Sequence, residues 1–298
     1  MLNCNIAFQS FYKSDTFYLH GFMGNVSTKY KKQQTDKERP TESMDYPRIV
    51  ILIPARFGAM RFPGKPLALI AGRPMIQHVY QNLSLSPKSS KQIPYSVDVY
   101  VVTDDERIEN AVKQFGGEVL RVDDDVASGS ERVFLAYQRF LKAKSPALVV
   151  NVQGDEPLLH LQDLVPLFEF HLKSTFDITT LIRPRKNDSE GFSNPNRVKA
   201  IVTPEGKCLY FSRAPIPHGD PKGDWNLHVG VYSYKALALE KFFAMPTSVL
   251  EKREKLEQLR ALEGNLSMGA LSIHKELLGV DSPEDISIIE GVLRGQNN

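Results

Sequence analysis

A basic loop that contains glycine follows the most apolar segment of the chain. Residues 49–53 read IVILI, an unbroken apolar run typical of a strand buried on both faces. The loop that follows carries Arg56, Arg61 and Lys65. Glycine lets backbone N–H groups approach a ligand closely and the side chains add positive charge, so the loop is suited to phosphate. A solvated basic turn has the same composition, and the loop alone does not distinguish it from a phosphate site.

The spacing within this loop excludes a Walker A motif. Gly58 and Gly64 are separated by one residue more than that motif allows. Pro66 follows Lys65, where a P-loop requires a Ser or Thr hydroxyl for Mg²⁺. The chain is therefore not predicted to be a P-loop NTPase.

Strands and helices alternate after the loop, and this rhythm predicts an α/β fold with a doubly wound, mostly parallel sheet. The helix predicted over 74–83 places His78 on its surface. Ligands of such sheets bind outside the carboxyl ends of the strands. The polar candidates that we expect at those ends, next to the basic loop, are Thr103, Asp104, Asp105, Ser128, Gly129, Gln153 and Asp155.

The second half of the chain has a different pattern: from about residue 177, extended runs replace the alternation of strands and helices. Residues 197–217 predict a hairpin, and a small inserted α+β subdomain is expected over about 180–228. Ser248 and Glu251 form a capping box for a helix expected to continue to Gly264.

The segment before the basic loop has no structural pattern. Residues 1–46 are polar and predict a disordered N-terminal extension, which leaves 47–298 as the folded domain. We expect Met44 to be the natural start. An organellar presequence is the alternative, and the acidic residues of the segment argue against it.

Composition excludes several classes of protein. The net charge is +2 and no basic block is interleaved with aromatics, so no nucleic-acid partner is predicted. Cys4 and Cys208 lack metal-ligand spacing, which indicates a reducing, cytoplasmic compartment and no zinc site. No apolar run is as long as a membrane span, and no membrane partner is expected.

Two carboxylates, Asp155 and Asp281, each follow a predicted buried strand. A single carboxylate at a strand end is often only a turn or cap residue. Opposite Arg and Lys, however, the pair suits Mg²⁺, which prefers carboxylate and phosphate oxygens. This arrangement favours transfer of a phosphoryl or nucleotidyl group.

Motifs along the chain carry a resemblance to a known family. In order they read ILIPARFGAMRFPGKPL, VVTDDERI, ASGSER, VNVQGDEP, LYFSRAPIP, HVGVYSY, KLEQLRALE and GVDSPEDI. Over residues 49 to about 290 this set resembles 3-deoxy-manno-octulosonate cytidylyltransferase, the CMP-Kdo synthetase family of lipopolysaccharide biosynthesis. HVGVY, LEQLR and VDSPED are the segments that narrow the resemblance from sugar nucleotidyltransferases in general to this family.

The resemblance implies a fold like that of nucleotide-diphospho-sugar transferases and a homodimer formed through the inserted subdomain. It also implies transfer of CMP from CTP to the anomeric 2-hydroxyl of Kdo, with release of pyrophosphate and Mg²⁺ as cofactor. The implied roles are Arg56, Arg61 and Lys65 at the CTP triphosphate, Thr103, Ser128, Gly129 and Gln153 around the cytidine, Asp155 and Asp281 at Mg²⁺, and Arg213, His228, Tyr232, Glu257 and Gln258 in the sugar pocket. Arg56, Lys65, Asp155 and Asp281 are the implied catalytic residues.

Alternatives remain open for the substrate and for the sugar pocket. The acceptor could be 8-amino-Kdo or another ulosonic acid. Ala59 and Met60 stand where the family usually has hydroxyls, which predicts weaker CTP binding and leaves room for a catalytically weak regulatory homologue. His228 could be a core histidine, and Glu257 with Gln258 could belong to a solvated helix face.

Overall fold

The computed structural model describes residues 46–58, 62–84, 93–220 and 222–295. Ala59, Met60, Arg61 and residues 1–45 of the N-terminal extension lie outside these ranges, so the predictions made for them stay predictions. The strands are β1 (Arg48–Pro54), β2 (Leu69–Ile70), β3 (Arg73–Pro74), β4 (Ser96–Thr103), β5 (Val119–Arg121), β6 (Leu148–Asn151), β7 (Ile178–Arg185), β8 (Lys199–Val202), β9 (Cys208–Ser212), β10 (Trp225–Tyr234) and β11 (Met268–Ser272). The helices are α1 (Met75–Leu83), α2 (Glu106–Gln114), α3 (Gly129–Ala136), α4 (Leu161–Lys173), α5 (Ser189–Ser193), α6 (Ala236–Ala244), α7 (Val249–Glu254), α8 (Gln258–Glu263) and α9 (Pro283–Gly295).

Strand β1 lies inside the main sheet, with parallel neighbours β4 and β6 on its two sides. Within the described residues the sheet has the order β11-β7-β10-β6-β1-β4-β5, and β8 and β9 are attached to it through β10. The predicted α/β fold with a mostly parallel sheet is confirmed. Strands β10 and β9 run the other way: β10 is antiparallel to β6, β7 and β8, and β9 is antiparallel to β8.

Alternate residues of β1 contribute to two different cores. Val50 and Leu52 belong to the core on one face, which α3, α6 and α8 cover. Ile49, Ile51 and Ile53 belong to the core on the other face, which α1, α2 and α4 cover. All five side chains are fully buried, as the apolar run predicted, and each contributes about 2 kcal/mol of burial free energy. The strand that leads into the basic loop is therefore held rigidly from both sides.

The predicted hairpin is formed by β8 and β9, which pair antiparallel. Buried residues of both strands, Ala200, Cys208 and Phe211, join the core beneath α6 and α8. Leu209 on β9 remains 53% exposed. The homodimer expected from this region stays a prediction. None of the helices in the described ranges has the length and apolar composition needed to cross a bilayer.

Two expectations about helices are wrong. His78 is not on the surface of α1: it is 4% exposed, and its Nε2 lies 2.8 Å from the carbonyl oxygen of Ile70. The helix expected from Ser248 to Gly264 is broken into α7 and α8 by Lys255, which adopts φ 54°, ψ 48°. The capping box of Ser248 and Glu251 is present.

His171 on α4 makes the stability of the fold sensitive to acid. It is fully buried, with Nδ1 2.8 Å from Ser233 Oγ and Nε2 3.2 Å from the carbonyl oxygen of Phe176. The carbonyl can only accept, so Nε2 carries the proton and Nδ1 accepts from the serine. Burial lowers the pKa of His171 from 6.5 to about 4, with a smaller contribution from Lys235.

Below pH 6.5 the unfolded chain takes up a proton at this position that the folded chain refuses until about pH 4. We expect folding to lose about 3 kcal/mol from this group as the pH falls through that window. Urea unfolding at a series of pH values should show that the free energy of unfolding falls less steeply with decreasing pH in His171→Gln than in the wild type. The same change at exposed His274 should leave the slope as in the wild type, and an unchanged slope in His171→Gln would contradict the assignment.

Candidate active site

The first cavity opens at the carboxyl ends of β1 and β6 and has a volume of about 380 Å³. It contains the basic loop, the start of α3 and the segment after β6, as the doubly wound pattern predicted. Its lining residues are Pro54, Ala55, Arg56, Gly58, Lys65, Pro66, Met75, Gly129, Gln153, Gly154 and Asp155.

Two glycines allow the walls of the first cavity to come together. Gly64 has φ +72°, a left-handed conformation that places Lys65 at the start of a short 3₁₀ turn. A Cβ on Gly154 would lie 2.9 Å from the carbonyl oxygen of Pro54, so only glycine lets the segment after β6 pass so close to the end of β1.

Lys65 connects the first cavity to the segment that carries Asp281. Its Nζ donates to Asp155 Oδ2 at 2.6 Å and to the carbonyl oxygen of Val280 at 2.8 Å. The backbone N–H of Val280 in turn donates to the carbonyl oxygen of Asp155 at 2.9 Å. The two predicted metal ligands, Asp155 and Asp281, are thus on adjacent backbone segments held together by one lysine.

A second cavity, of about 830 Å³, adjoins the first and shares Gln153 with it. Asp281 lies on its wall, as do all five residues predicted for the sugar pocket. Those five are Arg213, His228, Tyr232, Glu257 and Gln258.

A bulge in β10 presents two of these residues to the second cavity. The pairing of β10 with β7 shifts between Val229 and Tyr232. His228 and Tyr232 line the cavity from either side of this irregularity, with ring centroids 5.5 Å apart. The Oγ1 of Thr180 lies 2.7 Å from the carbonyl oxygen of Val231, to which it donates, and 3.0 Å from His228 Nε2.

The contacts of Thr180 assign the tautomer of His228, and burial keeps both rings neutral. Because the hydroxyl proton of Thr180 goes to a carbonyl, His228 Nε2 donates to that hydroxyl and its Nδ1 is the acceptor. Burial lowers the pKa of His228 to about 3, so its imidazole is neutral at physiological pH. Burial also raises the pKa of the Tyr232 phenol well above 10, and the hydroxyl keeps its proton.

Glu257 and Gln258 lie at the beginning of α8, directly after the break at Lys255. Gln258 is 5% exposed, and within the described residues its Nε2 has no hydrogen-bond partner. A buried donor without a partner is costly, which suits a side chain that binds a ligand oxygen. The alternative of a solvated helix face is therefore wrong for Gln258.

Among the residues predicted to surround the cytidine, the structure leaves Thr103 and Ser128 off both cavity walls, as it does Asp104 and Asp105, which follow Thr103. Thr103 is fully buried at the end of β4, and its Oγ1 accepts from the backbone N–H of Asp105 at 3.1 Å. Ser128 caps α3 by accepting from the N–H of Glu131 at 3.1 Å. Their predicted roles around a cytidine stay predictions.

Several wall residues were not singled out from the sequence. The clearest is Glu156, which follows Asp155 directly and lines the second cavity. Burial, with the nearby Asp155 and Asp281, raises its pKa to about 8, and no described group bonds its buried Oε2. Besides Arg213, the wall carries four cations that were not singled out: Arg183, Arg185, Arg197 and Lys255. The position of Glu156 directly after Asp155 could have indicated it. The four cations gave no such signal, because they lie on three separate segments of the chain.

Asp155 and Asp281 fit a magnesium ion on the chemistry of their donors. Mg²⁺ is usually held by one or two carboxylates together with substrate phosphates and water. Among the described residues no group of three or more His, Cys, Asp or Glu side chains forms a complete cage. The residues present therefore suit an ion that arrives with a phosphate ligand rather than one bound by protein alone.

Comparison with known proteins gives a consistent result. A family model described as cytidylyltransferase matches residues 50–271. An 8-amino-3,8-dideoxy-manno-octulosonate cytidylyltransferase of Shewanella pealeana is 42% identical over 250 residues, which cover 82% of this chain and 98% of that protein. The protein of the same name in Shewanella oneidensis is 43% identical over 244 residues, covering 80% of this chain and 95% of its own.

Solved structures are similar as well. A CMP:2-keto-3-deoxy-manno-octonic acid synthetase in complex with CTP superimposes with a TM-score of 0.74 at 32% identity, covering 84% of this chain and 99% of that one. A putative glucose-1-phosphate thymidylyltransferase from Bacillus anthracis has a TM-score of 0.55 at 15% identity, covering 83% of this chain and 95% of that one. The second likeness concerns the fold alone.

Proposed function

Because the chain belongs to the cytidylyltransferase family, we propose that it transfers CMP from CTP to the anomeric 2-hydroxyl of 3-deoxy-manno-octulosonate (Kdo) and releases pyrophosphate. The observation that carries this proposal is the pair of adjoining cavities, which share Gln153, with the Lys65–Asp155 ion pair on the wall of the first and Asp281 on the wall of the second. One is small and basic, and the other is larger and lined by cations and hydrogen-bonding groups. Such a pair suits a triphosphate donor and a sugar-acid acceptor.

In this proposal the first cavity binds the triphosphate. Arg56 and Lys65 neutralise charge on the phosphates, and that charge grows on the leaving pyrophosphate during transfer. The N-terminus of α3 at Gly129 adds backbone N–H groups and a favourable dipole. Mg²⁺ held by Asp155 and Asp281 would supply further neutralisation and lower the pKa of the attacking hydroxyl.

The second cavity holds the acceptor with its hydroxyl facing the shared wall. Its cations, Arg213 among them, suit the acceptor carboxylate, while neutral His228 and Tyr232 suit hydroxyl groups. Holding both substrates in line replaces a bimolecular encounter by one within the complex, and this positioning accounts for much of the proposed acceleration. No covalent intermediate with the protein is needed.

A second candidate acceptor is 8-amino-3,8-dideoxy-manno-octulosonate. The two Shewanella relatives named for it share 42% and 43% identity with this chain, more than the 32% of the structure named for the 2-keto-3-deoxy acid. The two acceptors differ at one substituent, so the proposed mechanism is the same for both.

The test is pyrophosphate release from CTP and Mg²⁺ with each acceptor in parallel. We expect release that depends on the sugar acid, because the hydroxyl must attack the α-phosphorus. Activity with Kdo supports the main proposal, and activity with the amino sugar alone moves the assignment to the second acceptor. Folded protein that releases nothing with either sugar acid contradicts the proposed function.

A further inference from the structure

Lys199 on β8 is a fully buried cation, and within the described residues its hydrogen-bond acceptors are all main-chain carbonyl groups. Its Nζ donates to the carbonyl oxygens of Asn194 at 3.1 Å, Arg197 at 2.7 Å and Arg213 at 2.7 Å. All three donors of the ammonium group are therefore used. Burying a charge is costly, and a site that keeps one must gain from its contacts.

Arg213 repeats the arrangement next to it. Its guanidinium donates to the carbonyl oxygens of Pro195 at 3.0 Å, Glu254 at 2.8 Å and Lys255 at 3.3 Å. The carboxylate of Glu254 accepts from Ser212 Oγ at 2.7 Å and from the backbone N–H of Arg213 at 2.9 Å. Two cations thus bind six carbonyl groups on three chain segments.

These three segments form one side of the second cavity. Residues 196–198, Arg213 and residues 255–258 all lie on its wall, whereas Lys199 does not. Part of the hydrogen-bonding capacity of Arg213 is already used by carbonyl groups, so its position depends on the groups that hold it. Lys199 binds the carbonyl group of Arg213 itself and those of the segment from Asn194 to Arg197.

We propose that Lys199 is a positioning residue for the second cavity: its ammonium clamps the 194–197 segment to Arg213, so that the cations of that wall stand ready for the sugar acid. The identity of the substrate rests on the proposed function. The clamp itself rests on the hydrogen bonds of Lys199. Without the ammonium, the carbonyl groups of Arg197 and Arg213 lose this partner and that of Asn194 keeps the N–H of Arg197, so the three part-buried dipoles repel one another and the segments must move apart.

The first test is Lys199→Met, which keeps the length of the side chain and removes the charge. The KM for whichever sugar acid the wild type uses should rise about tenfold or more, because a wall displaced by a fraction of an ångström loses much of its positioning effect. The KM for CTP should stay within about twofold, since the first cavity is not touched. Lys207→Met, on the same hairpin but exposed, should change neither constant. An unchanged acceptor KM, or equal rises in both constants, overturns the proposal.

A second readout needs no turnover. The N–H of Arg197 donates to the carbonyl oxygen of Asn194 at 3.1 Å, and hydrogen exchange of the 194–198 peptide reports on that turn. Exchange should be about tenfold faster in Lys199→Met than in the wild type and in Lys207→Met. If the wild type transfers CMP to no sugar acid, the proposed function fails, and this exchange rate alone decides the clamp: an unchanged rate overturns it.

If Lys199→Met does not fold, Glu254→Gln takes its place. This change weakens the contacts to Ser212 and Arg213 from a residue that does not line either cavity. A several-fold rise in acceptor KM with faster exchange at 194–198 supports the clamp. Wild-type values for both measurements overturn it.

Discussion

Replacing Asp155 with asparagine is expected to lower kcat by about a thousandfold. Asparagine keeps the size of the side chain but removes the charge that pairs with Lys65 at 2.6 Å and that would hold Mg²⁺. An amide is a poor magnesium ligand next to a phosphate, and the cation would lose one of its two protein carboxylates. The measurement is steady-state pyrophosphate release at saturating CTP and sugar acid.

Asp163 offers a matched control for this substitution. It pairs with Lys275 at 2.6 Å, the same distance as the Lys65–Asp155 pair, and lies on α4, with neither residue on a cavity wall. Asp163→Asn should therefore lose stability of about 1 kcal/mol and leave kcat nearly unchanged. Activity of folded Asp155→Asn close to that of Asp163→Asn would rule out a metal-binding role for Asp155.

Local sequence was sufficient to predict the framework of the site. The run from Ile49 to Ile53 could be recognised because a strand buried on both faces needs an apolar residue at every position. The strand–helix rhythm then determined the edge of the sheet at which the following loops meet. The predicted neighbourhood of Lys65, Gln153 and Asp155 follows from those two facts, and the structure brings them to one cavity.

The second cavity could not be built from the sequence in the same way. Its walls depend on a bulge in β10 and on a left-handed Lys255. Gly230 lies within the bulge and could have indicated it, whereas Lys255 adopts its left-handed conformation without the glycine that usually signals one. The periodicity of residues 250–263 favours one continuous helix, and tertiary contacts break it. The carbonyl oxygen of Lys255 accepts from Arg213, a contact across more than 40 positions that no local pattern contains.

The resemblance was needed for the sugar pocket. His228, Tyr232, Glu257 and Gln258 carry no spacing that predicts a common site, and the structure nevertheless places all four on one wall. Lys199, the first residue of β8, had no signal of either kind, because the role of a buried charge becomes visible only when its partners are known. Glu156 had at most its position directly after Asp155.

Replacing Lys65 with methionine is expected to lower kcat/KM for CTP by at least about a hundredfold. The side chain is 17% exposed and its Nζ lies between Asp155 and the carbonyl oxygen of Val280, on the wall of the first cavity. In the proposed mechanism a cation there neutralises the triphosphate on binding and the pyrophosphate on leaving, so both the KM for CTP and kcat should worsen. The KM for the sugar acid should change much less.

Lys275→Met is the matched control, because it removes a lysine from an ion pair of the same length that lines neither cavity. It should leave the KM for CTP and kcat unchanged. Comparison of the two variants therefore separates the effect of losing a charge at the site from the effect of losing a lysine elsewhere. If Lys65→Met kept kcat/KM for CTP within about threefold of the control, Lys65 would serve only to hold Asp155 and Val280 together. In that case Arg56 would be the remaining described cation on the wall of the first cavity, and the same measurement on Arg56→Met would locate the triphosphate contact.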